Sequence, residues 1–225
     1  MGMLIAAGLF FIGIHIFISS TPLRGWLIAR LGTLPYQGAF SLLSFAGIAW
    51  LIWAYARMER TQSWALPEFA SLLAMLVAFI GLALAMLGVL SPNPTTVNQE
   101  ALLQSPAPAS GLIRITRHPF MVGAVLWALA HMALNPDAAS LVFFGVFLIL
   151  AGLGPWLIDR KKARAFAGQW PQFAAVTSIV PFAAILDGRN QFKPGEIGLW
   201  RPAVAVLIVL SLMYFHGALF GVALF

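Results

Sequence analysis

The chain alternates between long apolar runs and short polar breaks, a pattern typical of membrane-spanning helices. An α-helix rises ~1.5 Å per residue, so about 20 apolar residues cross the ~30 Å core of a bilayer. Six runs are this long or nearly so, and they cover residues 3–19, 38–56, 66–90, 119–134, 138–158 and 202–225. The pattern predicts an all-α integral membrane bundle of about six transmembrane helices, in a single domain over residues 1–225.

The polar breaks predict where these helices end. Residues 19–22 read SSTP, and Pro22 cannot continue the first helix. Residues 135–137 read NPD, which are turn formers, so the fourth and fifth runs should form a tight helical hairpin. The long polar stretch over residues 159–201 still contains aromatic residues, and we expect it to lie at the membrane surface as a cytoplasmic interfacial segment. Within it, we expect the charged run Asp159–Arg164 to be a solvated face.

Composition excludes a soluble protein and several kinds of chemistry. Hydrophobic residues make up 61% of the 225 residues and charged residues only 9%, whereas a soluble domain carries ~25% charged residues. The mean hydropathy is +0.91. The chain has no cysteine, so disulfides, iron–sulfur clusters and thiolate zinc sites are excluded. The side chains left for metal binding are four histidines, seven carboxylates and eight methionines.

The net charge of +6 reflects membrane orientation rather than nucleic-acid binding. With six helices, eleven basic residues fall on one side and two on the other, and basic residues favour the cytoplasm. Both termini are therefore expected in the periplasm. The eleven are Arg24, Arg30, Arg114, Arg117, Arg160, Lys161, Lys162, Arg164, Arg189, Lys193 and Arg201, and the two are Arg57 and Arg60.

All four histidines lie in or beside apolar runs, at His15, His118, His131 and His216. A polar side chain at membrane depth is costly and usually has a partner or a function. Each could simply donate a hydrogen bond to a neighbouring helix. Four of four, in a chain so poor in polar residues, indicate a shared role. Neutral imidazole binds iron, copper or zinc, and two histidines on different helices can hold a haem from both faces.

His15 and His131 each have an aromatic residue at i−4 and a small residue at i−7, on the same helix face. For His15 these are Phe11 and Gly8, and for His131 they are Trp127 and Ala124. The small residue could leave room for a flat macrocycle, or it could serve ordinary helix packing. Depth in the membrane leaves two other pairings open, His15 with His118 and His131 with His216.

Arg117 and His118 precede Pro119, which suits the first turn of the fourth helix. A helix N-terminus favours anions, because its first backbone N–H groups have no partner within the helix. Arg117 and His118 are therefore candidates to bind a carboxylate or a haem propionate. The alternative is a basic anchor that follows the charge rule for membrane loops.

Three blocks of the sequence resemble the NnrU family of bacterial membrane proteins and the related 15-cis-zeta-carotene isomerases of plants and cyanobacteria. These blocks are HIFISSTPLR from residue 15, GLIRITRHPFMVGAVLWALAH from residue 111 and SIVPFAAILDGR from residue 178. The resemblance implies a haem b protein of the bacterial inner membrane, with metal ligands at His15 and His131. In the isomerases the reduced iron is thought to drive double-bond isomerisation without net redox change, whereas NnrU proteins are associated with denitrification and nitric oxide.

One departure and two alternatives accompany this resemblance. The isomerases carry a further histidine between their second and third helices, where residues 57–65 here read RMERTQSWA. The segment FAGQWPQFAAVTSIVPF from residue 166, with the earlier Arg117-His118-Pro119, also resembles the isoprenylcysteine and phospholipid methyltransferases, membrane enzymes that use S-adenosylmethionine. A non-catalytic assembly factor for a denitrification enzyme is the other alternative. Partners implied by the first interpretation are haem b, with nitric oxide or a hydrophobic polyene.

Overall fold

A computed structural model describes residues 1–59 and 63–222, and this part of the chain is helical and contains no β-strand. Three short 3-10 helices, Glu100–Gln104, Gly111–Arg114 and Pro194–Glu196, connect the longer elements. In the described residues the α-helices are α1 Gly2–Gly13, α2 Pro22–Leu31, α3 Thr33–Ala56, α4 Glu68–Leu90, α5 Pro119–Leu134, α6 Ala138–Ala165, α7 Trp170–Ala175, α8 Ala183–Leu186, α9 Trp200–Tyr214 and α10 His216–Phe220.

Three of the described helices, α3, α4 and α6, are long and apolar enough to cross a membrane. The first helix continues into a π-helical turn, and together they form an angle of 76° with α2. If these two segments cross the membrane together as one broken helix, they are a fourth span. Two further apolar helices, α5 and α9, are shorter. The fold is therefore an all-helical membrane protein with three to four candidate spans, and the count of six stays a prediction.

The predicted boundaries of the middle helices are close to those observed, and the others differ for local reasons. The first run ends where predicted, because Thr21 caps the next helix by accepting the Leu23 N–H, with Pro22 in its first turn. The segment with Arg24 and Arg30, expected as a loop, is helix α2. The last run is interrupted at Phe215, between α9 and α10. Arg60 and the end of that run, residues 223–225, lie outside the described residues.

The predicted hairpin between α5 and α6 is confirmed. Asp137 caps α6, because its Oδ1 atom accepts a hydrogen bond from the backbone N–H of Ser140 at 2.8 Å. Asn135 donates from its side chain to the carbonyl of His131 at 2.8 Å, at the end of α5. A side chain on each side of the turn thus satisfies backbone groups that have no partner within the helices.

Contacts divide the chain into two units, and the prediction of a single domain is not tested by this division. The first unit comprises Met1–Met75 and Ala128–Leu157, and the second comprises Leu76–Trp127 and Ile158–Phe225. In the first unit the buried core comes from α1 with the turn after it, α3 and α6: Leu4, Ala7, Phe11, Ile14, Leu51, Ala54, Ala139 and Val146. In the second unit a smaller core lies among the polar connections: Leu103, Ala109, Ile113, Trp170 and Phe173.

Within the second unit, α4 and α5 approach closely at glycines. A methyl group added at Gly81 would lie 2.7 Å from the backbone nitrogen of Trp127, and one at Gly88 would lie 2.7 Å from that of Phe120. One added at Gly123 would lie 2.5 Å from the nitrogen of Ala85. Small residues that let helix backbones touch are typical of membrane helices, where lipid removes the hydrophobic drive for association.

Candidate functional sites

His15 lies in the π-helical turn Ile14–Ile18, directly after α1. The Nδ1–H of the half-buried imidazole donates to the carbonyl of Phe11, at 2.8 Å. This assignment leaves the lone pair on Nε2, the nitrogen that points away from its own helix. The rings of Phe11 and Phe40 lie 4.5 and 5.4 Å from the imidazole, centre to centre. Single π-helical turns occur frequently at functional sites, and His15 is the titratable residue of this one.

The backbone carbonyl of His15 is also paired. The hydroxyl groups of Ser19 and Ser20 donate to it at 2.5 and 3.2 Å. These serines therefore satisfy the carbonyl at the end of the π-helical turn and hold its geometry.

His131 lies in the last turn of α5, half-buried, with its ring 4.8 Å from that of Phe144. A continuous series of ring contacts connects it with His15 inside the first unit. The members of this aromatic series, with centre-to-centre distances of 4.5 to 6.3 Å, are His15, Phe11, Phe147, Phe143, Phe144 and His131. The two predicted ligands thus lie at opposite ends of one series of aromatic contacts.

The space predicted beside Gly8 for a macrocycle is filled by a neighbouring helix. A methyl group added at Gly8 would lie 2.8 Å from Cγ2 of Val146 on α6. The interpretation as macrocycle space is therefore wrong at this position. Gly8 instead allows close helix packing, the alternative function of a small residue.

Near His131 lies a partly buried hydrogen-bond chain that the sequence did not predict. Ser140 Oγ donates to Oδ2 of Asp137 at 2.7 Å, and the Tyr55 hydroxyl lies 2.7 Å from the same Oγ. The Tyr55 ring stacks on Phe143 at 4.3 Å, in the aromatic series. The Asp137-x-x-Ser140 spacing at the start of α6 is a capping signal that the sequence shows. Tyr55, the third residue of the hydrogen-bond chain, precedes Ser140 by 85 positions, and no local pattern connects the two.

The second unit brings Arg117 and His118 together on Asp159. Arg117 donates to Oδ2 of Asp159 from Nε and Nη2, at 2.9 and 2.6 Å. His118 Nε2 lies 2.7 Å from Oδ1 of the same carboxylate. We call these three residues the Asp159 cluster. The expectation of a solvated face over Asp159–Arg164 is wrong for Asp159 and Lys162, since their side chains are only 15% and 5% exposed.

Burial lowers the pKa of His118 below its ordinary value, against the opposing hydrogen bond and charge of Asp159. At neutral pH the imidazole is therefore uncharged, and its Nε2–H donates to the carboxylate. The net charge of the Asp159 cluster is close to zero, because the Arg117 cation balances the Asp159 anion. In the structure, the anion that Arg117 and His118 both contact is the Asp159 carboxylate of the chain itself. Binding of an external carboxylate or propionate by these two residues stays a prediction.

Backbone contacts fix the loop that carries the Asp159 cluster. Thr95 Oγ1 and Asn93 Nδ2 both donate to the carbonyl of Arg117, at 3.0 and 3.2 Å. Arg117 N donates to the carbonyl of Ser178 at 2.9 Å, and Thr116 Oγ1 donates to that of Ile179 at 2.7 Å. Residues 116–118 are therefore held from two separate segments of the chain, which explains how a loop can keep a buried histidine in place.

In the described part of the second unit, two further ion pairs join residues that are distant in the chain. Lys162 Nζ donates to Glu100 at 2.7 Å. Burial raises the pKa of Glu100, but this effect is outweighed by the hydrogen bond and charge of Lys162 together with a backbone hydrogen bond. The pKa of Glu100 is therefore below its usual value. Arg114 donates to both carboxylate oxygens of Glu196, at 2.7 and 2.9 Å. These bonds, with one from the Gly111 N–H, lower the pKa of Glu196 to about 2.

The four predicted site residues divide in two pairs. His15 and His131 belong to the first unit, and Arg117 and His118 to the second. Across residues 1–59 and 63–222, no group of three or more histidine and carboxylate side chains could hold a metal ion. A bis-histidine haem site needs only two protein ligands, so this finding leaves the assignment of His15 and His131 as a prediction.

Long apolar helices, exposed large apolar side chains and buried polar clusters define a multi-pass membrane protein. The chain belongs to the NnrU family: the family described as NnrU protein matches residues 3–224. Curated relatives include the chloroplastic 15-cis-zeta-carotene isomerase of Zea mays, 41% identical over 109 residues, which is 47% of this chain and 30% of that protein. The isomerase of Arabidopsis thaliana is 40% identical over 83 residues, 36% of this chain and 22% of that protein.

The match therefore spans less than a third of either curated relative. No solved structure matches the chain.

Proposed function

We propose that this protein is a haem b-binding protein of the bacterial inner membrane, with six transmembrane helices and both termini in the periplasm. His15 and His131 would hold the haem iron, and Arg117 and His118 would hold a propionate or the entry to α5. The observation that carries the proposal is the His15 hydrogen bond: because Nδ1–H donates to Phe11 O, Nε2 is the nitrogen presented for ligation, as in most metal-binding histidines.

The donor set suits a haem. Two imidazoles are ordinary ligands of haem iron, and the aromatic series would provide apolar surroundings for it. Haem, when bound, would supply an iron whose oxidation state can change and which can exchange a ligand. The residues of this chain would orient the imidazoles, exclude water through Phe11, Phe143 and Phe144, and keep the hydroxyl of the half-buried Tyr55 close to the series.

The proposed substrate class is a hydrophobic polyene, and the proposed reaction is double-bond isomerisation without net redox change. The support is the similarity to two proteins named 15-cis-zeta-carotene isomerase. A polyene would reach the site from the membrane. Nitric oxide, as a ligand of the iron in denitrification, is the second candidate, and the lack of a histidine in residues 57–65 favours it.

An absorption spectrum of the purified full-length protein tests the proposal. We expect a Soret band that shifts when dithionite is added, and shifts again with nitric oxide if the second candidate is right. Extraction of the pigment should give the pyridine haemochrome spectrum of haem b. A colourless protein that takes up no added haem contradicts the proposal. If that colourless protein binds S-adenosylmethionine, the methyltransferase alternative is supported instead.

A further inference from the structure

The second unit has an open cleft of about 450 Å³ that is separate from the Asp159 cluster. Two stretches of the chain, residues 103–109 and 169–176, contribute most of its lining, and Arg114, Arg189 and Asn190 complete it. Proline and alanine are frequent in the first stretch. The second carries Gln169 and Gln172, both exposed.

The described lining of this cleft contains guanidinium groups and no carboxylate. Arg114 and Arg189 line it, and none of its described lining residues is acidic. The carboxylates that pair with the two arginines, Glu196 and Asp187, are not part of the lining. The cleft therefore presents guanidinium and amide donors, and the charge of each guanidinium is balanced by its paired carboxylate.

Both guanidinium groups are held in fixed positions. Arg114 donates from Nε and Nη2 to Glu196 and from Nη1 to Asn190. Arg189 donates from Nε and Nη2 to Asp187, and from Nη1 to the carbonyls of Ala175 and Thr177. A guanidinium has five N–H groups, so Arg114 keeps two and Arg189 one for a further acceptor. Donors already ordered in this way lose little entropy when they bind.

We propose that the cleft binds a phosphate group, either of inorganic phosphate or of an anionic phospholipid. A tetrahedral phosphate accepts hydrogen bonds from several directions, and the donors of the cleft come from three separate segments, at Arg114, at residues 169–172 and at residues 189–190. Exposed apolar side chains on the adjoining segment, Val180, Phe182 and Leu186, would rest in a membrane surface. This site is independent of the proposed haem.

Two binding measurements on the full-length protein distinguish the sources of the phosphate. In detergent, calorimetry with sodium phosphate measures binding of the free anion. In phosphatidylcholine nanodiscs, the thermal unfolding midpoint is compared with and without phosphatidic acid. Saturable binding of inorganic phosphate, or a midpoint raised by phosphatidic acid, supports the site and identifies its source. The absence of both effects overturns the proposal.

Variants at one exposed position test whether the cleft is responsible. Gln172→Glu introduces a negative charge into the lining and should weaken phosphate binding by roughly tenfold through like-charge repulsion. Gln172→Leu removes the amide without adding a charge, so it should weaken binding far less. Arg189→Gln should also weaken binding, and Arg164→Gln, at an exposed residue outside the lining, should not. Equal binding by Gln172→Glu and Gln172→Leu would exclude this cleft as the site.

Discussion

His118 and Asp159 form a polar contact in which Nε2 and Oδ1 lie 2.7 Å apart and the histidine side chain is only 1% exposed. The partners are 41 residues apart in the chain, so the contact fastens the start of α5 to the far end of α6. Because Asp159 also accepts two hydrogen bonds from Arg117, one carboxylate satisfies both residues that precede Pro119.

Replacing the shared carboxylate should destabilise the protein. Asp159→Asn leaves the Arg117 guanidinium, 13% exposed, without its counter-charge, and a buried donor that loses its partner costs roughly 1–3 kcal/mol. The expected result is a lower thermal unfolding midpoint in detergent. Asp187→Asn is the matched control, because Asp187 pairs with Arg189 at the surface with 58% of its side chain exposed, where an ion pair contributes at most about 1 kcal/mol. Equal losses for the two variants would contradict the importance of the Asp159 cluster.

The lowered pKa of His118 predicts a loss of stability in mild acid. Below the ordinary histidine pKa of 6.5 the unfolded chain protonates this residue, while the folded chain does not. The unfolded state then binds more protons, so stability falls as the pH decreases from 6.5 towards the folded pKa.

The measurement is the unfolding midpoint between pH 7.5 and 5.5. It should decline less in His118→Gln than in the unsubstituted protein. His216→Gln serves as control, because the described contact of His216 Nδ1 is with the backbone carbonyl of Val222, and it should keep the original slope. A His118→Gln slope as steep as that of the parent protein would show that another group is responsible.

The close approach of α4 and α5 predicts that Gly123→Ala is destabilising. The added methyl group would lie 2.5 Å from the backbone nitrogen of Ala85, and backbone cannot move aside as a flexible side chain can. Overpacking of this kind costs about 1–3 kcal/mol. Gly152→Ala, in α6, meets nothing within 4 Å and should be neutral or slightly stabilising, since alanine favours a helix over glycine by roughly 1 kcal/mol. Thermal unfolding of the two variants side by side checks the difference.

The local features of this fold could be predicted from the sequence. Pro119 suits only the first turn of a helix, and α5 does begin there. The hairpin at residues 135–137 was visible because its residues are turn formers. The sequence predicted part of the bent first span, because Pro22 ends the first helix as expected. Thr21 and Pro22 also begin α2, as its cap and its first residue. That role too could have been inferred from the local sequence.

The long-range partners could not be predicted. The spacing of Asp159 and Lys162 places both on one face of α6, but it cannot indicate that this face is buried against other segments. A run of charges therefore resembled a solvated surface. Likewise, Tyr55 is separated from Ser140 by 85 positions, and neither periodicity nor spacing connects them. His15 and His131 were chosen from chemistry and resemblance, and the series of ring contacts between them became visible only in the structure.

The uneven distribution of basic residues predicts the orientation of the protein in the membrane. Eleven of the thirteen lie on one side of a six-helix arrangement, and this side should be cytoplasmic. Alkaline phosphatase fused at Phe225 should be active, because the C-terminus is then periplasmic, whereas a fusion near Lys161 should be inactive. Green fluorescent protein fused at the same two points should give the opposite pattern. If both reporters place Phe225 in the cytoplasm, the six-helix topology is wrong.

The ligand assignment predicts different effects for the four histidines on the haem spectrum. His15→Ala or His131→Ala should abolish or strongly alter the Soret band, because each removes one proposed axial nitrogen. His216→Ala should leave it nearly unchanged. His118→Ala should reduce it only in part, since His118 already donates to Asp159 and its proposed contact with haem is indirect.

A rescue experiment separates loss of a ligand from loss of the fold. Free imidazole can occupy the space left by His15→Ala and restore an iron–nitrogen bond. If His15 is a ligand, added imidazole should therefore return the Soret band towards its original position. A concentration of roughly 10 mM or more is needed, because a free ligand lacks the effective molarity of a side chain. Phe40→Leu, which alters the ring next to His15 but keeps the imidazole, should retain the band without added imidazole. An experimental structure in which the His15 and His131 nitrogens lie more than ~8 Å apart around a bound haem would exclude the pair, since iron–nitrogen bonds are only ~2 Å long.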